Sequence, residues 1–415
     1  MKAIIIGGGI VGLSTAWFLR RSGWEVTIID RNDFSDNCSY GNAGYVCPSH
    51  FVPLATPGII QQGLKLMWNS KSPFYIQPRV SRSLVDWGLR FMQSARPDKV
   101  KEAALPLRDI ALISQQVYVD WQTSHNWELA YEHKGLMEYF QTPAKEEHAH
   151  HFCEDAHKLG LAARVLSYEE VQAMEPQTRL NIKGALLFEC DAHVYPNKVM
   201  RRLLAQLKED GVVLLPNEPV TGFERKGSSI TGVHTAKGLH NADTVVLAAG
   251  AWSREIAAQL RINLPMVGGR GYSVTLEDSP NRLNHPAVLM EGRVAITPMD
   301  GNKIRFGGTM EITSLNRPPR LKRVEGILDA VQRYFPDFKL PKASEAPVWW
   351  GFRPCSADGL PYIGRSREFK NLLIGTGHSM IGMSTGPGTG QLLSELANES
   401  RPSMDLRPFD PQRFG

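Results

Sequence analysis

The opening segment, MKAIIIGGGIVGLSTAWFLRRSGWEVTIID, constrains the fold more than any other part of the chain. Ala3–Ile6 is short, apolar and β-branched, which predicts a strand buried on both faces. Glycines in G-x-G-x-x-G spacing follow it: Gly7, Gly9 and Gly12. A helix is predicted to begin near Val11, and a second strand over residues 25–29 ends at Asp30. This order of strand, turn, helix and strand is the context that a dinucleotide-binding fingerprint requires.

Each glycine of the fingerprint has its own physical task. We expect Gly7 to permit a tight turn, Gly9 to let the backbone approach a pyrophosphate, and Gly12 to let the helix pack close to the strand. Ile10 and Val11 open the helix, whose N-terminus presents N–H groups and a positive dipole end to the phosphates. The alternative is an ordinary glycine-rich loop, which the flanking strands and helix disfavour.

Asp30 closes the second strand about twenty residues after the glycines, where a carboxylate accepts hydrogen bonds from ribose hydroxyls. Arg31 follows it and belongs to the expected cofactor site. The fingerprint alone does not distinguish FAD from NAD.

The bulk composition limits the class of protein. The chain has 415 residues, more than a single hydrophobic core usually serves, so two domains are expected. Hydrophobic residues make up 42% and charged residues 21%, as in ordinary soluble proteins. The formal net charge is +5, without a long run of Lys or Arg, so nucleic-acid binding is not indicated. A mildly basic surface is compatible with an anionic membrane or an acidic substrate.

The cysteines are scattered and lack the spacing of a metal site: Cys38, Cys47, Cys153, Cys190 and Cys355. Together with the lack of a recognisable targeting segment, they predict a reducing, cytoplasmic location. The apolar N-terminus is interpreted as the first strand and not as a signal peptide. We find no run of eighteen apolar residues, so no membrane span is expected, while peripheral contact with the inner face of a membrane stays open.

Later segments alternate between strand and helix patterns. Helices are predicted at 83–92, 108–121, 144–159 and from Pro196 onward. Strands are predicted at 136–140, 212–215, 218–223 and 244–247. Short strands between residues 272 and 311 predict an antiparallel sheet, which the strand at 349–353 joins. The chain then shows a strand at 372–375, a turn and a helix at 388–393.

Four segments carry recognisable motifs: residues 4–30, 246–253, 351–364 and 375–378. Together they resemble the FAD-dependent amine oxidoreductases, which include D-amino-acid oxidase, glycine oxidase, sarcosine oxidase and the small subunit of bacterial D-amino-acid dehydrogenase. The chain is most similar to the bacterial D-amino-acid dehydrogenases, through Ser39–Gly44 and Gly269–Ser273. Within these, it resembles enzymes proposed to oxidise cis-4-hydroxy-D-proline.

The resemblance implies an α/β fold in which a Rossmann-like FAD-binding domain is interleaved with an α+β substrate domain built on an antiparallel sheet. The FAD-binding domain is predicted to comprise residues 1–55, 190–262 and 345–415. The substrate domain is predicted to comprise residues 56–189, with a helical insert, and 263–344. The insert is expected to shape the cavity entrance or a contact surface.

The resemblance also implies non-covalent FAD along the glycine loop and the segments that follow it. Besides the fingerprint, Asp30 and Arg31, the expected cofactor residues are Asn42, Ala43, Gly44, Val220, Ala249, Gly250, Trp252, Gly377, His378, Ser379, Met380, Ile381 and Gly382. Backbone N–H groups of the late turn from Gly377 to Gly382 would stabilise negative charge on the reduced ring. Cys355 lies near the position where sarcosine oxidases tether flavin, but it is out of register with it.

Arg353 matches the family arginine that binds the substrate carboxylate through a bidentate pair, for which a planar guanidinium is suited. A surface salt bridge is the alternative. Ala295 occupies the place where several oxidases carry a tyrosine, with Thr297 and Met299 nearby. Tyr272 or Arg293 is therefore expected to supply the second carboxylate contact, and His50 to border the substrate. Met380 replaces a second arginine found in glycine oxidase, which argues against that enzyme.

The expected reaction is oxidation of D-amino acids or cyclic D-imino acids such as D-proline, with hydride passing from Cα to flavin N5. A neutral amine drives this step without an acid–base residue, so His50, His193 and His378 are not expected to be catalysts. A quinone or another carrier is the expected electron acceptor. The alternatives are an oxygen-using glycine or sarcosine oxidase and a non-catalytic FAD-binding partner subunit. No metal site is expected.

Overall fold

The computed structural model describes residues 1–58, 69–79 and 81–415. Part of the helical insert predicted after residue 56 therefore lies outside the described residues. Within them, the fold confirms the predicted α/β class.

A six-stranded sheet carries the glycine loop, in the order β19-β20-β13-β1-β2-β9. Its strands are β1 (Lys2–Ile6), β2 (Glu25–Ile29), β9 (Val213–Leu215), β13 (Thr244–Leu247), β19 (Tyr362–Arg365) and β20 (Leu372–Thr376). All neighbours are parallel except β19 and β20. Ile5 pairs in register with Ile28 on one side and Val246 on the other, so β1 lies in the middle of the sheet. Its apolar run is buried on both faces because Ile5 belongs to the core on one face, whereas Ile4 and Ile6 belong to the core on the other.

Helices pack around this sheet. They are α1 (Ile10–Arg21), α3 (Pro97–Thr123), α6 (Pro196–Glu209), α7 (Ser253–Gln259) and α9 (Gly382–Ala397). Helix α3 lies on α9, and the others lie closer to the strands. A short 3₁₀ turn, Gly250–Trp252, precedes α7, and another, Arg407–Phe409, lies near the C-terminus. A three-stranded sheet joins the same half: β10 (Val220–Lys226), β11 (Ser229–Thr235) and β12 (Gly238–Asn241).

The second, larger sheet follows the order β18-β14-β17-β16-β15-β5-β7-β6, with β4 beside β17. Its strands are β4 (Phe74–Ile76), β5 (Leu136–Phe140), β6 (Ala163–Ser167), β7 (Gly184–Phe188), β14 (Met266–Leu276), β15 (Ala287–Leu289), β16 (Val294–Pro298), β17 (Ile304–Ile312) and β18 (Val348–Ser356). Most pairs are antiparallel, as predicted, but β15–β5 and β17–β4 are parallel.

The remaining elements flank this sheet and connect the two halves. They are α2 (Arg82–Ser94), α4 (Pro143–Lys158), α5 (Tyr168–Met174), α8 (Leu321–Tyr334), and the two-stranded pair β3 (Tyr45–Val46) and β8 (Ala192–His193). Helix α8 packs on one face of the large sheet, and its apolar residues share a core with β14, β16 and β17. The opposite face is left for the functional site.

Two features differ from the sequence-based expectations. Helix α3 falls within the block 56–189 assigned to the substrate domain, yet Leu107, Ile110 and Trp121 share a core with α1 and α9 of the nucleotide half. Strand β18 pairs with β14 of the large sheet, which confirms the prediction that the strand at 349–353 joins the antiparallel sheet, although it lies in the block 345–415 assigned to the FAD-binding domain. Both elements pack on partners that are distant in the chain, which blocks of sequence do not reveal.

Helix α9 begins at Gly382, six residues before the predicted start at Gly388. The prediction was wrong because glycine is a poor helix former in isolation. Here Gly386 and Gly390 bring α9 against α1: a Cβ would lie 2.9 Å from an Ile10 methyl carbon and 2.6 Å from the Ser14 backbone. Close helix packing therefore overrides the low intrinsic propensity.

Pro387 lies inside α9 and cannot donate to the carbonyl of Met383 one turn earlier. The hydroxyl of Tyr118 on α3 donates to that carbonyl instead, at 3.0 Å. The next residue, Gly388, donates its N–H to Ser114 Oγ at 2.8 Å. Side chains of α3 thus replace the helical hydrogen bonds that the proline disrupts.

Candidate active site

A cavity of about 850 Å³ runs between the two halves, from the glycine loop to the large sheet. One end is bordered by the carboxyl ends of β1 and β2, which is where open α/β sheets bind ligands. The other end is bordered by β14, β17 and β18. The cavity is large enough for an extended dinucleotide together with a small second molecule.

The glycine loop has the geometry that its spacing predicts. Gly7 has φ +115°, and a Cβ there would lie 2.4 Å from the carbonyl oxygen of Ala248. A Cβ on Gly12 would lie 1.9 Å from the Gly7 carbonyl oxygen, so only glycine lets α1 start this close to β1. Gly12 is thus a packing residue, whereas Gly7 and Gly9 line the cavity wall.

The N-terminus of α1 keeps donors available for an anion. Ser39 Oγ accepts the N–H of Ile10 at 3.0 Å. In the described part of the chain, the N–H groups of Gly9 and Val11 have no acceptor, although both residues line the cavity. Unpaired backbone donors at a helix N-terminus fit a pyrophosphate.

Asp30 lies at the cavity wall beside this loop. Its Oδ2 accepts the N–H of Gly8 at 2.6 Å and its Oδ1 accepts the N–H of Asn32 at 2.8 Å. Burial raises the pKa of Asp30, while these two hydrogen bonds oppose the shift. Each oxygen has a further lone pair, which suits it to ribose hydroxyls.

The wall beyond Asp30 contains the other residues expected near the nucleotide. Val220, Ala249, Gly250 and Trp252 all line the cavity, and Arg31 stacks its guanidinium 4.8 Å from the Trp252 ring centroid. Gly250 has φ +54°, and no protein atom lies within 4 Å of its would-be Cβ. The backbone is therefore bare here, as expected where a ligand approaches closely.

The Asn42 segment connects two cavity walls that are distant in sequence. Asn42 Oδ1 accepts the N–H of Gly44 at 2.9 Å, and its Nδ2 donates to the Met380 carbonyl at 3.2 Å. Asn42 and Ala43 line the cavity. Gly44 lies behind the wall with φ +83°, where a Cβ would meet the Val194 carbonyl oxygen at 2.2 Å. Its role is conformational.

His378, in the late turn, lies at the cavity wall and is uncharged. Its Nε2 lies 2.8 Å from Thr389 Oγ1, and that hydroxyl donates to the Thr385 carbonyl. Nε2 must therefore carry the proton, because the hydroxyl hydrogen is already used. Burial lowers the pKa of His378 to about 3, so the ring is neutral.

The remaining residues of this turn lead into α9. Ser379 has φ +47° and donates its N–H to the Pro354 carbonyl at 2.9 Å, and Ile381 donates to the His378 carbonyl at 3.0 Å. Ser379, Met380, Ile381 and Gly382 line the cavity, whereas Gly377 packs behind it against Tyr362. The N-terminus of α9 thus borders the middle of the cavity.

Arg353 projects from β18 into the far end of the cavity. Its Nη1 donates to the Thr309 carbonyl at 2.5 Å. Burial lowers the pKa of Arg353, but arginine stays charged at physiological pH. Among residues 1–58, 69–79 and 81–415, no carboxylate lies within 4.0 Å of this guanidinium. A desolvated cation without an anion is suited to binding an anionic ligand.

The three other expected substrate residues differ in whether their polar groups face the cavity. His50 and Arg293 line the cavity, and burial lowers the pKa of His50 to about 4. Tyr272 also borders the cavity, but its hydroxyl donates to Glu311 at 2.7 Å and accepts the Arg320 N–H at 2.9 Å. That hydroxyl is buried on the α8 side of the sheet, where it has two protein partners, and a carboxylate contact from Tyr272 stays a prediction.

The wall around Arg353 is otherwise mainly apolar. Val52, Leu54, Phe74, Val288, Met290 and Ala295 line this end of the cavity. Ala295 thus places a small side chain on the cavity wall. Cys355 is buried outside the wall with Sγ near Met310, whereas Cys38 lines the cavity and has a thiol pKa raised to about 11 by burial.

Several residues at the site were not predicted individually, above all Thr309 and Ser39. Both act through contacts with segments far away in sequence, Thr309 with Arg353 and Ser39 with the start of α1. The motif Gly269–Ser273 gave a signal for its region, but not for the contact that Gly271 makes with Arg353.

No group of three or more His, Cys, Asp and Glu side chains in the described ranges is arranged to hold a metal ion. In the same ranges, no helix combines the length and apolar character needed to cross a bilayer.

Comparisons with known proteins agree with this geometry. The family model for the DAO family of FAD-dependent oxidoreductases matches residues 2–396. The chain therefore belongs to this family and is an FAD-dependent oxidoreductase.

Among its relatives is a D-amino acid dehydrogenase of Neisseria gonorrhoeae, 30% identical over 405 residues and covering 96% of each chain. A D-amino acid dehydrogenase of Helicobacter pylori is 28% identical over 400 residues, covering 96% of this chain and 95% of the relative.

Solved structures share the fold. Glycine oxidase from Geobacillus kaustophilus superposes with a TM-score of 0.76 at 22% identity, covering 99% of this chain and 98% of that one. L-proline dehydrogenase from P. horikoshii gives a TM-score of 0.74 at 19% identity, covering 100% and 97%.

The residues present fit FAD. Unpaired N–H groups on Gly9 and Val11 suit its pyrophosphate, Asp30 suits its ribose, and the bare backbone at Gly250 leaves room beside it. The α9 N-terminus and neutral His378 border the region between these groups and Arg353.

Proposed function

We propose that this chain oxidises D-amino acids or cyclic D-imino acids, including D-proline and cis-4-hydroxy-D-proline, and that Arg353 binds their carboxylate. The observation that carries the proposal is the half-buried Arg353 guanidinium, which faces the cavity without a carboxylate partner among the described residues. A planar guanidinium forms two parallel hydrogen bonds with a carboxylate, which fixes the substrate's orientation as well as its position.

The rest of the pocket favours a small, largely apolar substrate body. Val288, Met290 and Ala295 form one wall, and Leu54 and Phe74 another. This lining excludes water from the reacting carbon while Arg353 holds the carboxylate. The full-length similarity to relatives named D-amino acid dehydrogenase supports the choice of amino-acid substrates.

When bound, FAD supplies the two-electron acceptor for the hydrogen on the substrate's α-carbon. The protein's own task is to position the substrate and to keep its surroundings neutral. His50 and His378 are both held uncharged by burial, so neither adds positive charge beside the amine. A substrate amine that enters without its proton needs no protein base, in line with a site built for positioning.

We further propose that electrons leave to a quinone or another carrier, and that the protein works in the cytoplasm with peripheral membrane contact. The net charge of +5 supports contact with an anionic surface. Comparing the peroxide yield with the reduction of a quinone analogue on one substrate distinguishes a dehydrogenase from an oxidase: abundant peroxide would contradict the proposed acceptor.

The direct test of the substrate is anaerobic mixing with purified, FAD-loaded protein. D-Proline and cis-4-hydroxy-D-proline are expected to bleach the flavin absorbance, and their L-enantiomers are expected to leave it unchanged. Failure of every D-amino or D-imino acid in a broad panel to bleach the flavin would refute the proposed function.

A further inference from the structure

We propose that a β-bulge between β14 and β17 is the seat that aims Arg353 into the cavity, with Gly271 and Thr309 as its positioning residues. The inference rests on the proposed role of Arg353 in binding the substrate carboxylate. It assigns a role to two residues that neither contribute a charged group nor belong to the glycine fingerprint.

The bulge is visible in the strand register. Arg270 pairs with Glu311, but Tyr272 pairs with Gly308, so Gly271 faces both Thr309 and Met310. An extra residue in one strand bends the ladder and re-aims the groups beside it, and such bulges are frequent next to active sites. Strand β18, which carries Arg353, pairs with the other edge of β14.

Gly271 provides the space for the guanidinium. A Cβ built on Gly271 would lie 2.1 Å from Arg353 Nη1 and 2.2 Å from both Cζ and Nη2. Gly271 does not have a left-handed backbone, so the requirement for glycine is one of space and not of conformation. Any larger residue would displace the guanidinium, the movable end of a long side chain, before it displaced the backbone.

Thr309 provides the anchor. It has φ +64°, an unfavourable conformation for a β-branched residue, and such strain is concentrated at functional sites. This conformation directs the Thr309 carbonyl to Arg353 Nη1, which donates to it at 2.5 Å. The next residue, Met310, is held by its N–H bond to the Pro73 carbonyl at 2.7 Å.

Together these contacts hold the guanidinium in place before a ligand arrives. One nitrogen is bonded to the protein, while Nε and Nη2 have no acceptor in the described part of the chain. The remaining donors can therefore meet a carboxylate without the side chain first having to become ordered. Such preorganisation strengthens binding because less conformational freedom is lost on association.

The decisive variant is Gly271→Ala, which should move the guanidinium without removing it. We expect the KM for D-proline, or for the best substrate found, and the Kd for benzoate to rise at least tenfold, with FAD content retained. Gly222→Ala is the matched control. It lies on β10, outside the cavity lining, and its Cβ would come no closer than 3.9 Å to neighbouring atoms. Its KM should stay within twofold of the wild type.

A double-variant cycle separates this inference from the proposed function. In the Arg353→Met background, Gly271→Ala should cause no further rise in KM or Kd, because the group it displaces is gone. An unchanged KM and benzoate Kd for Gly271→Ala, or an equal rise in both backgrounds, would refute the inference that the bulge positions Arg353. If Arg353→Met itself leaves KM and benzoate binding unchanged, the proposed function fails instead.

Thr309 is tested by changing its backbone preference. Thr309→Gly keeps the left-handed conformation accessible and should retain the wild-type KM, whereas Thr309→Pro forbids it and should raise KM as Gly271→Ala does. Equal KM values for the two variants would refute the role of the anchor. Gly271→Ala could be insoluble because its Cβ clashes with the Arg353 guanidinium. In that case the double variant Gly271→Ala/Arg353→Met should be recovered as soluble, FAD-loaded protein. An insoluble double variant would refute the proposed contact between Gly271 and Arg353.

Discussion

Two arginines on neighbouring strands of the large sheet, Arg270 and the half-buried Arg353, have opposite surroundings. Arg270, on β14 and fully buried, faces α8, where it pairs with Glu311 at 3.8 Å and donates to the carbonyls of Arg317 and Pro318. Arg353, on β18, faces the cavity and has a single backbone acceptor, Thr309, in the described ranges. Successive side chains along a strand point to opposite faces of the sheet. Arg270 is in register with Phe352, so Arg353 lies on the face opposite to Arg270.

The difference shows how one sheet serves stability and binding at once. On the α8 face the chain supplies the anion itself, since Glu311 also accepts the hydroxyl of Tyr272 and pairs with Arg323 at 3.4 Å. On the cavity face no described residue supplies one. A half-buried cation without a counter-charge adds little to the stability of the fold, so we interpret Arg353 as a group retained for its ligand.

The largest expected effect is a loss of stability on the α8 face of the large sheet, where Glu311 pairs with two arginines. Glu311→Gln would leave Arg270 and Arg323 buried without a carboxylate and should lower the free energy of unfolding by about 3–5 kcal/mol. Urea unfolding of the FAD-loaded protein measures it. Glu325→Gln removes an exposed partner of Lys71 and should cost less than about 1 kcal/mol. Equal losses for the two variants would contradict the assignment of the α8 face to stability.

The complementary change is Arg353→Met, which should lower kcat/KM by about 10²–10³-fold while the free energy of unfolding is retained. Arg353→Lys restores the charge without the planar fork and should remain at least about tenfold impaired. Steady-state kinetics and urea unfolding provide the two readouts, with exposed Arg333→Met as the control. A loss of stability as large as that of Glu311→Gln would show that Arg353 is structural.

A smaller effect is expected from Tyr272→Phe. The hydroxyl bonds Glu311 and the Arg320 N–H on the α8 side, so its loss should cost about 1–2 kcal/mol of unfolding free energy. The kcat/KM of the remaining folded enzyme should not change. A selective increase in KM would instead return Tyr272 to the substrate site.

The smallest effect concerns pH. His50 and His378 have pKa values lowered by burial to about 4 and about 3, so both stay neutral above pH 6. The positive charge facing the cavity is therefore permanent, and the Kd for benzoate should change less than about twofold between pH 6 and 8. Flavin difference spectra measure this Kd. Weaker binding as the pH rises through 6–7 would instead indicate that a protonated histidine attracts the anion.

The nucleotide end of the cavity was predictable because its signal is local. Gly7, Gly9, Gly12 and Asp30 lie within one strand–helix–strand unit, and the spacing alone indicates what each residue does. The position of the Arg353 guanidinium beside the β-bulge was not predictable in this way. It depends on a slip in register between β14 and β17, and strand register is set by packing on both faces of the sheet.

This contrast between local signals and contacts of distant segments also explains where the structure differs from the sequence-based expectations. The glycines of α9 lower its helix propensity, yet they are what allow α1 and α3 to approach it. Tyr272 is an aromatic residue in a motif beside the cavity, but whether its hydroxyl faces the ligand or α8 depends on the strand's alternation across the bulge. Identity and spacing predict chemistry well only where the chain meets its ligand within a short segment.

The bonds from Tyr118 and Ser114 to the proline-containing helix have a consequence for biosynthesis. The helix after the late turn, residues 382–397, needs donors and acceptors from residues made some 270 positions earlier. A nascent polypeptide still lacking that helix would contain the glycine loop but not the helix N-terminus that borders the cavity. We therefore expect chains that end before residue 382 to retain less FAD than the full chain.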